Sequence, residues 1–473
     1  MSIKYYTKIR GDDRAFHPYL FFAFLTKLCK ALVEISFLQK KFMGYFKKTS
    51  LNKKTQYTDN PKIAIIGMGA MGKGLFYQSR ITPGIECLAI SDIKLERAIS
   101  CAQWLKSDYR VVRNRDEAES VIGNGMLAIC EDGNIVAGCA GIDVVVEASS
   151  SIIEAGIFCV TALETKKTLI MMNAEADLIF GPYLLHLAQQ HEVVYTSCDG
   201  DQHGVIKHLI DDLKFWGFEL VMAGNIKGFL DRYSNPTKII PEADARNLDY
   251  KMATAYTDGT KLCIEMALLA NGLGLCTNTP GMQGPRADYV QDVFGLFDFA
   301  YLWKSKTPFV DYVLGAEPGG GVFVIGYCNN DYQRSMLSYY KMGKGPFYLF
   351  YRPYHLCHVE AMSGIMSAVK NKQSLLQPDH GFRTNVYAYA KRDLGSKTVL
   401  DGIGGYDCYG LIENYDADNK NPPLPICLAE GVILKRDIRK DEKIYMCDID
   451  NKQTRSDFSA YFKALELSEK IKL

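Results

Sequence analysis

The segment KIAIIGMGAMGKG, residues 62–74, decides the fold predicted for this chain. A short apolar run ends at Gly67, as a buried parallel strand does, and a stretch compatible with a helix begins near Met71. The Gly-x-Gly-x-x-Gly pattern alone is a weak signal. Here it joins a strand to a helix, and Asp92 follows the last glycine by 20 residues, at the end of the next apolar run. We therefore predict a loop that binds a dinucleotide.

Short apolar runs alternate with helical stretches after this loop. The predicted strands are KIAIIG (62–67), ECLAIS (86–91), IDVVVEA (142–148), TLIMMN (168–173) and VVYTSC (193–198), and MLAIC (126–130) is a weaker candidate. This alternation is typical of parallel strands that are joined by right-handed crossovers. The sequence thus predicts an α/β fold with a Rossmann-type, doubly wound parallel sheet in residues 58–200.

Three further regions are predicted around the Rossmann domain. Residues 201–370 mix strand-like and helical stretches, which indicates an α+β substrate and catalytic domain, with a helix near 355–369 that returns to the first domain. Residues 371–473 are rich in Gly, Asp, Tyr and Pro, which favours a small β-rich domain. Residues 1–57 are predicted to form an N-terminal helical extension and a basic linker.

The N-terminal extension raises the question of membrane contact. In residues 16–38, Lys27, Lys30 and Glu34 interrupt the apolar run, which disfavours a spanning helix. The helical spacing of Leu25, Leu28, Leu32 and Ile35 predicts an amphipathic helix that packs on its own protein or on a second subunit. A helix that lies on a membrane surface is the alternative.

Composition excludes several classes of function. The 473 residues carry 55 basic and 54 acidic side chains, so the formal net charge of +1 gives the whole chain no strong attraction to nucleic acid. The 14 cysteines form no Cys-x-x-Cys pair, which argues against a zinc ribbon or a thioredoxin motif. We expect no cleavable signal peptide, a cytoplasmic location with free thiols, a small-molecule substrate and a homo-oligomer.

The predicted cofactor is NAD or NADP. A carboxylate at Asp92 can accept hydrogen bonds from the ribose hydroxyls, which favours NAD, whereas Lys94 and Arg97 could accommodate the phosphate of NADP. Strand ends also line the ligand crevice of such sheets. The predicted cofactor-binding residues are Gly67, Met68, Gly69, Ala70, Met71, Gly72, Asp92, Ala148, Ser149 and Asn173.

Several segments from about residue 58 to about 450 together resemble one group of enzymes. They are GMGAMGKG (67–74), DVVVEASSS (143–151), LIMMNAEADLIFGPYL (169–184), TSCDGDQHG (196–204), YTDGTKLCIEMALLANGLG (256–274), FYRPYHL (350–356) and LAEGVILKRDIRKDEKIY (428–445). The chain resembles the homoserine dehydrogenase-like NAD(P)-dependent oxidoreductases with a C-terminal SAF domain. That group includes a branch of enzymes similar to 1-deoxy-D-xylulose 5-phosphate reductoisomerase. The resemblance implies that residues 371–473 are SAF-like.

The same resemblance implies catalytic residues. The lysine that contacts the substrate in homoserine dehydrogenases corresponds to Lys261, and Asp258 is the acid nearest to the position of the acid in that motif. The Asn-Lys pair of homoserine dehydrogenases is replaced by Asn173, Ala174 and Glu175, a form that resembles the SAF-bearing branch. Lys261 and Asp258 are the predicted catalytic residues.

Acidic residues follow two predicted strands and could converge on Mg²⁺ or Mn²⁺, because carboxylate oxygens suit these ions and a reductoisomerase needs one. The alternative is helix capping and turn formation. The predicted metal ligands are Glu175, Asp177, Asp199 and Asp201. Possible contacts to a phosphate or a sugar are His203, Arg352, His355 and His358.

These observations predict an NAD(P)-dependent oxidoreductase that acts on a small polar carbonyl or hydroxyl compound. A sugar phosphate, as in the reductoisomerase reaction, is the first choice, and homoserine dehydrogenase is the alternative enzyme. The alternative from another class is a nucleotide-binding sensor or partner-recruiting subunit that does not catalyse a reaction.

Overall fold

The computed structural model describes residues 60–246, 248–450 and 455–471. The predicted N-terminal helix and basic linker lie outside these residues. In the described part of the chain, no helix is both long enough and apolar enough to cross a bilayer.

Seven parallel strands form the first sheet, in the order β3-β4-β2-β1-β5-β6-β7. The strands are β1 Lys62–Ile66, β2 Glu86–Ser91, β3 Tyr109–Val111, β4 Leu127–Cys130, β5 Val144–Glu147, β6 Thr168–Met171 and β7 Tyr195–Ser197. The strand order reverses between β1 and β5, because β2–β4 lie on one side of β1 and β5–β7 lie on the other. The predicted α/β class and the Rossmann-type parallel sheet are confirmed.

Helices cover both faces of this sheet. They are α1 Ala70–Ile81, α2 Leu95–Trp104, α3 Arg115–Gly123, α4 Gly133–Ala137, α5 Ile153–Glu164 and α6 Ala174–His191. Side chains of β1 alternate between the faces: Ile63 and Ile65 join a buried cluster with Phe76 of α1. Ala64 and Ile66 join the opposite cluster with residues of α5 and α6. This alternation explains why the strand reads as a continuous apolar run.

The edge of the sheet differs from the prediction. The weaker candidate at 126–130 is confirmed as β4, but β3 was not predicted. Arg110 and Val111 in β3 are exposed, so this three-residue edge strand lacks the apolar run that marks the central strands.

A second, mixed sheet follows in the order β11-β10-β8-β9. Its strands are β8 Glu219–Lys227, β9 Phe309–Leu314, β10 Val322–Tyr327 and β11 Phe347–Arg352. The helices of this region are α7 Gln202–Phe215, α8 Ile240–Arg246, α9 Tyr250–Thr257, α10 Thr260–Leu273, α11 Val293–Leu296, α12 Phe299–Leu302 and α13 Asp331–Tyr339. Helices α7 and α10 pack against the second sheet. Helix α7 follows β7 directly, so its start lies at the carboxyl edge of the first sheet.

Helix α14, Cys357–Lys370, packs on α1 of the first sheet. Ala361, Met362 and Ile365 are buried in the cluster that holds Phe76. This helix therefore lies against the Rossmann domain, although the predicted domain boundaries themselves stay a prediction.

The C-terminal region contains the antiparallel pair β12 Thr384–Ala390 and β13 Cys408–Asn414, extended by isolated bridges. The region also ends in a helix that was not predicted, α15 Ser456–Ile471. Phe458, Tyr461 and Ala464 of α15 join the main core, and the helix packs against α6. Its buried face recurs at helical spacing, a signal that the sequence carried and the prediction missed.

Candidate active site

The glycine loop has the backbone geometry that the motif predicts. Gly67 has φ +90°, and a Cβ there would lie 2.6 Å from the Cα of Ser149, so both the turn and the close approach to the end of β5 require glycine. A Cβ at Gly72 would collide with the carbonyl oxygen of Gly67. Gly69 and Ala70 are exposed and no atom lies within 4 Å of a Cβ placed at Gly69. The first amides of α1 thus face an open corner where a pyrophosphate can bind.

Asp92 is bound to the loop itself. Its carboxylate accepts the backbone N–H of Met68 at 2.7 Å and of Lys94 at 2.8 Å, and the side chain is buried. The prediction assigned this acid to the ribose hydroxyls. The geometry gives each oxygen a backbone donor first, so Asp92 orders the loop whether or not it also contacts a ribose.

Three predicted cofactor residues lie at the next strand ends. Ala148 and Ser149 follow β5, and the Ser149 amide donates to Glu147 at 3.0 Å. Asn173 uses both ends of its side chain: its amide donates to the Ser151 carbonyl at 2.7 Å, and its oxygen caps α6 by accepting the amide of Ala176 at 3.0 Å. Ser149 thus contributes through its backbone amide and Asn173 through its side chain.

Glu147 is a buried acid at the end of β5, the strand end that the sequence places at the ligand crevice. Its side chain is fully buried, and burial raises its pKa to about 7, opposed by hydrogen bonds from Ser149 and Asn173. One of its oxygens has no hydrogen-bond partner among the described residues. At neutral pH this acid, at the carboxyl end of β5, is therefore about half protonated.

Lys261 and Glu175 form a buried ion pair at the start of α10 and α6. The Lys261 Nζ lies 3.0 and 3.1 Å from the two carboxylate oxygens of Glu175. Burial by itself lowers the pKa of Lys261, but Glu175, Tyr256, Glu265 and Asp201 together outweigh burial and raise it above its ordinary value. The Lys261 side chain therefore stays an ammonium and acts as a hydrogen-bond donor rather than as a base.

The surroundings of Lys261 contain buried polar groups that lack partners. Glu265 lies one helical turn after Lys261, and burial raises its pKa well above the usual range. One oxygen of Glu265, one oxygen of Asn225 and both ring nitrogens of His203 have no hydrogen-bond partner in the described residues. Because buried polar atoms normally have partners, these atoms indicate a place for a polar ligand.

Sequence reasoning found only part of this set. His203 was predicted as a contact, whereas Glu265 and Asn225 were missed. The spacing of Lys261 and Glu265, four residues apart on one helix, was a signal for Glu265. Asn225 lies within the buried strand β8 and gave no signal.

Asp258 does not join Lys261. Its carboxylate is fully buried, accepts the amide of Thr260 at 2.9 Å, and lies 2.8 Å from Nζ of Lys391. Lys391 also donates to the carbonyls of Ser234 and Gly405, both at 2.8 Å. Asp258 therefore anchors the start of α10 to the C-terminal region, and its prediction as a catalytic residue is corrected to a structural role.

The four predicted magnesium ligands do not converge. Glu175 pairs with Lys261, while Asp177 is buried and accepts the hydroxyls of Tyr195 and of Ser197. The other two also have partners of their own. Asp199 pairs with His208 at 3.0 Å, and Asp201 caps α7 through the amide of Gln202 at 2.9 Å. The predicted carboxylate site for Mg²⁺ or Mn²⁺ does not fit these partners, and the prediction of convergence is wrong.

The remaining predicted contacts lie around the start of α14. Arg352 forms a two-point ion pair with Glu360, with both N–O distances 2.7 Å. Nδ1 of His355 lies 2.8 Å from the carbonyl oxygen of Gly320, and the ring of His358 packs beside Gly74 of α1. Arg352 and His358 thus hold the helix in place, while His355 lies near the cluster around Lys261.

Comparison with known proteins places this site in a recognised class. Residues 200–361 match the sequence profile of a family described as "Oxidoreductase DRL, catalytic domain". The matched stretch contains Lys261, Glu265, His203 and Asn225. The match and the Rossmann sheet with its glycine loop confirm the predicted class. The chain is an NAD(P)-dependent oxidoreductase. The match speaks against the alternative of a sensor without catalysis.

Solved structures resemble the enzyme only distantly, and no curated protein matches it in sequence. A probable dehydrogenase from Thermotoga maritima is 12% identical over 66% of this chain and 90% of its own, with a TM-score of 0.37. The 1-deoxy-D-xylulose 5-phosphate reductoisomerase from Zymomonas mobilis, in complex with NADPH, is 13% identical over 44% and 57%, with a TM-score of 0.31. The homoserine dehydrogenase activity and the SAF domain stay predictions of the resemblance.

Proposed function

We propose that this enzyme transfers a hydride between NAD(P) and the carbonyl or hydroxyl carbon of a small polar substrate, and that Lys261 holds the reacting oxygen. The observation that carries the proposal is the buried Lys261 ammonium among polar atoms without partners. A fixed positive charge in a site with little water strongly stabilises an oxygen that becomes negative during the reaction.

The position of Lys261 relative to the glycine loop supports this role. Gly67 approaches Ser149 after β5, and Glu147 of that strand interacts electrostatically with Glu175, the partner of Lys261. These contacts connect the loop to the ammonium along the carboxyl edge of the sheet, where ligands of such folds bind.

Lys261 and Glu265 have different roles when the substrate oxygen is protonated in a reduction. The hydride from the nicotinamide reduces the carbon, and the oxygen then takes up one proton. Lys261 stabilises the charge on that oxygen as a donor. Glu265, whose pKa burial raises well above its usual range, interacts electrostatically with Lys261 and is the group that supplies the proton.

The unpartnered atoms favour a substrate that is rich in oxygen. His203, Asn225 and Glu265 present nitrogen and oxygen atoms that hydroxyl groups can satisfy. Together with the resemblance noted for the sequence, this favours a sugar-derived or phosphorylated substrate. A reaction similar to that of 1-deoxy-D-xylulose 5-phosphate reductoisomerase is the most specific form of the proposal.

The test is turnover over a panel of sugar phosphates and other polar carbonyl compounds with NADH and NADPH, followed by nicotinamide absorbance. The test variant carries Lys261→Met with Glu175→Gln, which removes the pair without leaving a charge unbalanced. The control carries Lys391→Met with Asp258→Asn, which removes the other buried pair. We expect kcat to fall about 10²–10³-fold in the first and to stay unchanged in the second. Full turnover of the Lys261 variant contradicts the proposal.

A further inference from the structure

The loop between β7 and α7 meets the start of α14 at close range. Gly200 has φ +87°, and a Cβ there would collide with the carbonyl oxygen of Cys357. This approach brings Asp201, His355 and Cys357 together, with one ligand atom from each within 4.8 Å of the others. Across residues 60–246, 248–450 and 455–471, no other three His, Cys, Asp or Glu side chains meet in this way.

The geometry of the three side chains suits a tetrahedral cation. Sγ of Cys357 lies 3.8 Å from Oδ1 of Asp201. A thiolate and a carboxylate oxygen on one zinc ion, with bond lengths of about 2.3 and 2.0 Å, are about 3.5 Å apart. Small adjustments of the side chains would therefore place both atoms on one ion.

His355 is held in the form that binds metals. Its Nδ1 lies 2.8 Å from the carbonyl oxygen of Gly320, and a carbonyl can only accept. Nδ1 therefore carries the proton and Nε2 keeps its lone pair. Metal-binding histidines are oriented by the same kind of bond to a carbonyl or carboxylate.

A second observation also points to a ligand at this place. His203 is 2% exposed, and neither of its ring nitrogens has a hydrogen-bond partner in the described residues. It interacts electrostatically with Asp201 and His355, so it lies beside the group. A buried imidazole without hydrogen-bond partners is unusual in a folded protein. A bound ion with its ligands would provide a partner for it.

We propose that Asp201, His355 and Cys357 bind a divalent transition cation of the zinc type, with His203 beside the fourth position. Asp201 supplies an oxygen, His355 supplies Nε2, and Cys357 supplies a thiolate whose proton passes to the solvent when the ion binds. Thiolate and imidazole ligands select such an ion over Mg²⁺. The site adjoins the proposed catalytic cluster through Asp201, but its occupancy can be measured without turnover.

The charges of the neighbourhood permit this binding. The ammonium of Lys261 opposes a cation near Asp201, and Lys227 adds a second positive group. The carboxylate of Glu175, which is paired with Lys261, offsets that ammonium. Since Lys261 is already paired with Glu175, Asp201 remains available for the ion.

The experiment titrates Co²⁺ into the full chain after dialysis against a chelator, and follows thiolate-to-cobalt charge transfer in the near ultraviolet. We expect one equivalent with this band, and a Zn²⁺ affinity that falls about 100-fold or more in Cys357→Ser. The control is Cys276→Ser. Cys276 is another partly exposed thiol, which donates to the Pro308 carbonyl at 3.7 Å. This variant should keep both the charge-transfer band and the Zn²⁺ affinity.

The alternative is that the Cys357 thiol donates a hydrogen bond to Asp201 and no ion binds. No Co²⁺ uptake, or a band that survives Cys357→Ser, overturns the proposal. Displacement of Co²⁺ by equimolar Mg²⁺ overturns it too. If Cys357→Ser does not fold, as judged by circular dichroism, His355→Gln is measured instead. It should lower the Zn²⁺ affinity to the same degree. Full turnover of the Lys261 variant with unchanged Co²⁺ binding would count against the proposed function alone.

Discussion

Two buried lysine–carboxylate pairs lie at the start of the same helix, and their surroundings differ. Nζ of Lys391 lies 2.8 Å from Oδ2 of Asp258 and donates hydrogen bonds to two carbonyl oxygens, so three oxygens surround this ammonium. In the described residues, Lys261 donates only to the two oxygens of Glu175, and neighbouring polar atoms lack partners. An ammonium that three oxygens surround stabilises a fold. An ammonium beside polar atoms that lack hydrogen-bond partners is suited to bind a ligand.

Removing Lys391 should have the largest effect on stability. Lys391→Met leaves Asp258 buried without its cation, which costs about 3–5 kcal/mol of the free energy of unfolding. Urea denaturation measures this loss. Adding Asp258→Asn should restore most of it, because the stranded charge is gone. A loss below about 1 kcal/mol for the single variant would mean that the pair does not hold the C-terminal region.

Within the part of the chain that the structure describes, Glu147 is a buried acid without a lysine partner, in contrast to Asp258 and Glu175. Burial raises the pKa of Glu147 to about 7 from its ordinary value of 4.5, so the folded state binds more protons than the unfolded state between these pH values. Stability from this group is therefore greatest below about pH 4.5 and falls by about 3 kcal/mol as the pH rises to 7. The Glu147→Gln variant should lack this decrease. The exposed Glu164→Gln serves as the control, and equal pH slopes in wild type and Glu147→Gln would refute the expectation.

The two lysines can be compared directly. Lys261→Met should reduce the free energy of unfolding by about 2 kcal/mol less than Lys391→Met, because two hydrogen bonds to carbonyls, each contributing about 1 kcal/mol, are absent at Lys261. Parallel urea titrations of the two single variants measure the difference. Equal losses would show that the two pairs stabilise the fold equally and would contradict the difference expected between them.

A carboxylate held by amides alone gives the smallest expected effect. Asp92→Asn keeps one acceptor for the Met68 amide but loses the charge, so the loop should loosen and the Kd for NADH or NADPH should rise about fivefold, equivalent to about 1 kcal/mol. Nicotinamide fluorescence measures the affinity. The matched control is Asp143→Asn, whose carboxylate accepts the Lys62 amide at 2.9 Å at the opposite end of β1. A similar loss in the control would assign the effect to general destabilisation.

Much of the fold could be read from the sequence because its signals are local. The strand that runs into Gly67 and the alternation of apolar runs with helices predicted the parallel sheet. Short or exposed elements carried no such signal, which is why β3 was missed. The face of α15 was periodic, but the composition of the region around it suggested strands.

The candidate site divides in the same way. The sequence by itself determined the glycine loop, since the turn, the close approach and the helix start lie within six residues. It also marked Lys261 through a resemblance. Only the tertiary structure decided that Lys261 pairs with Glu175 while Asp258 pairs with Lys391. Pairing of charges depends on which distant segments the packed sheets and helices bring within a few ångströms, and the spacing of residues along the chain does not contain that information.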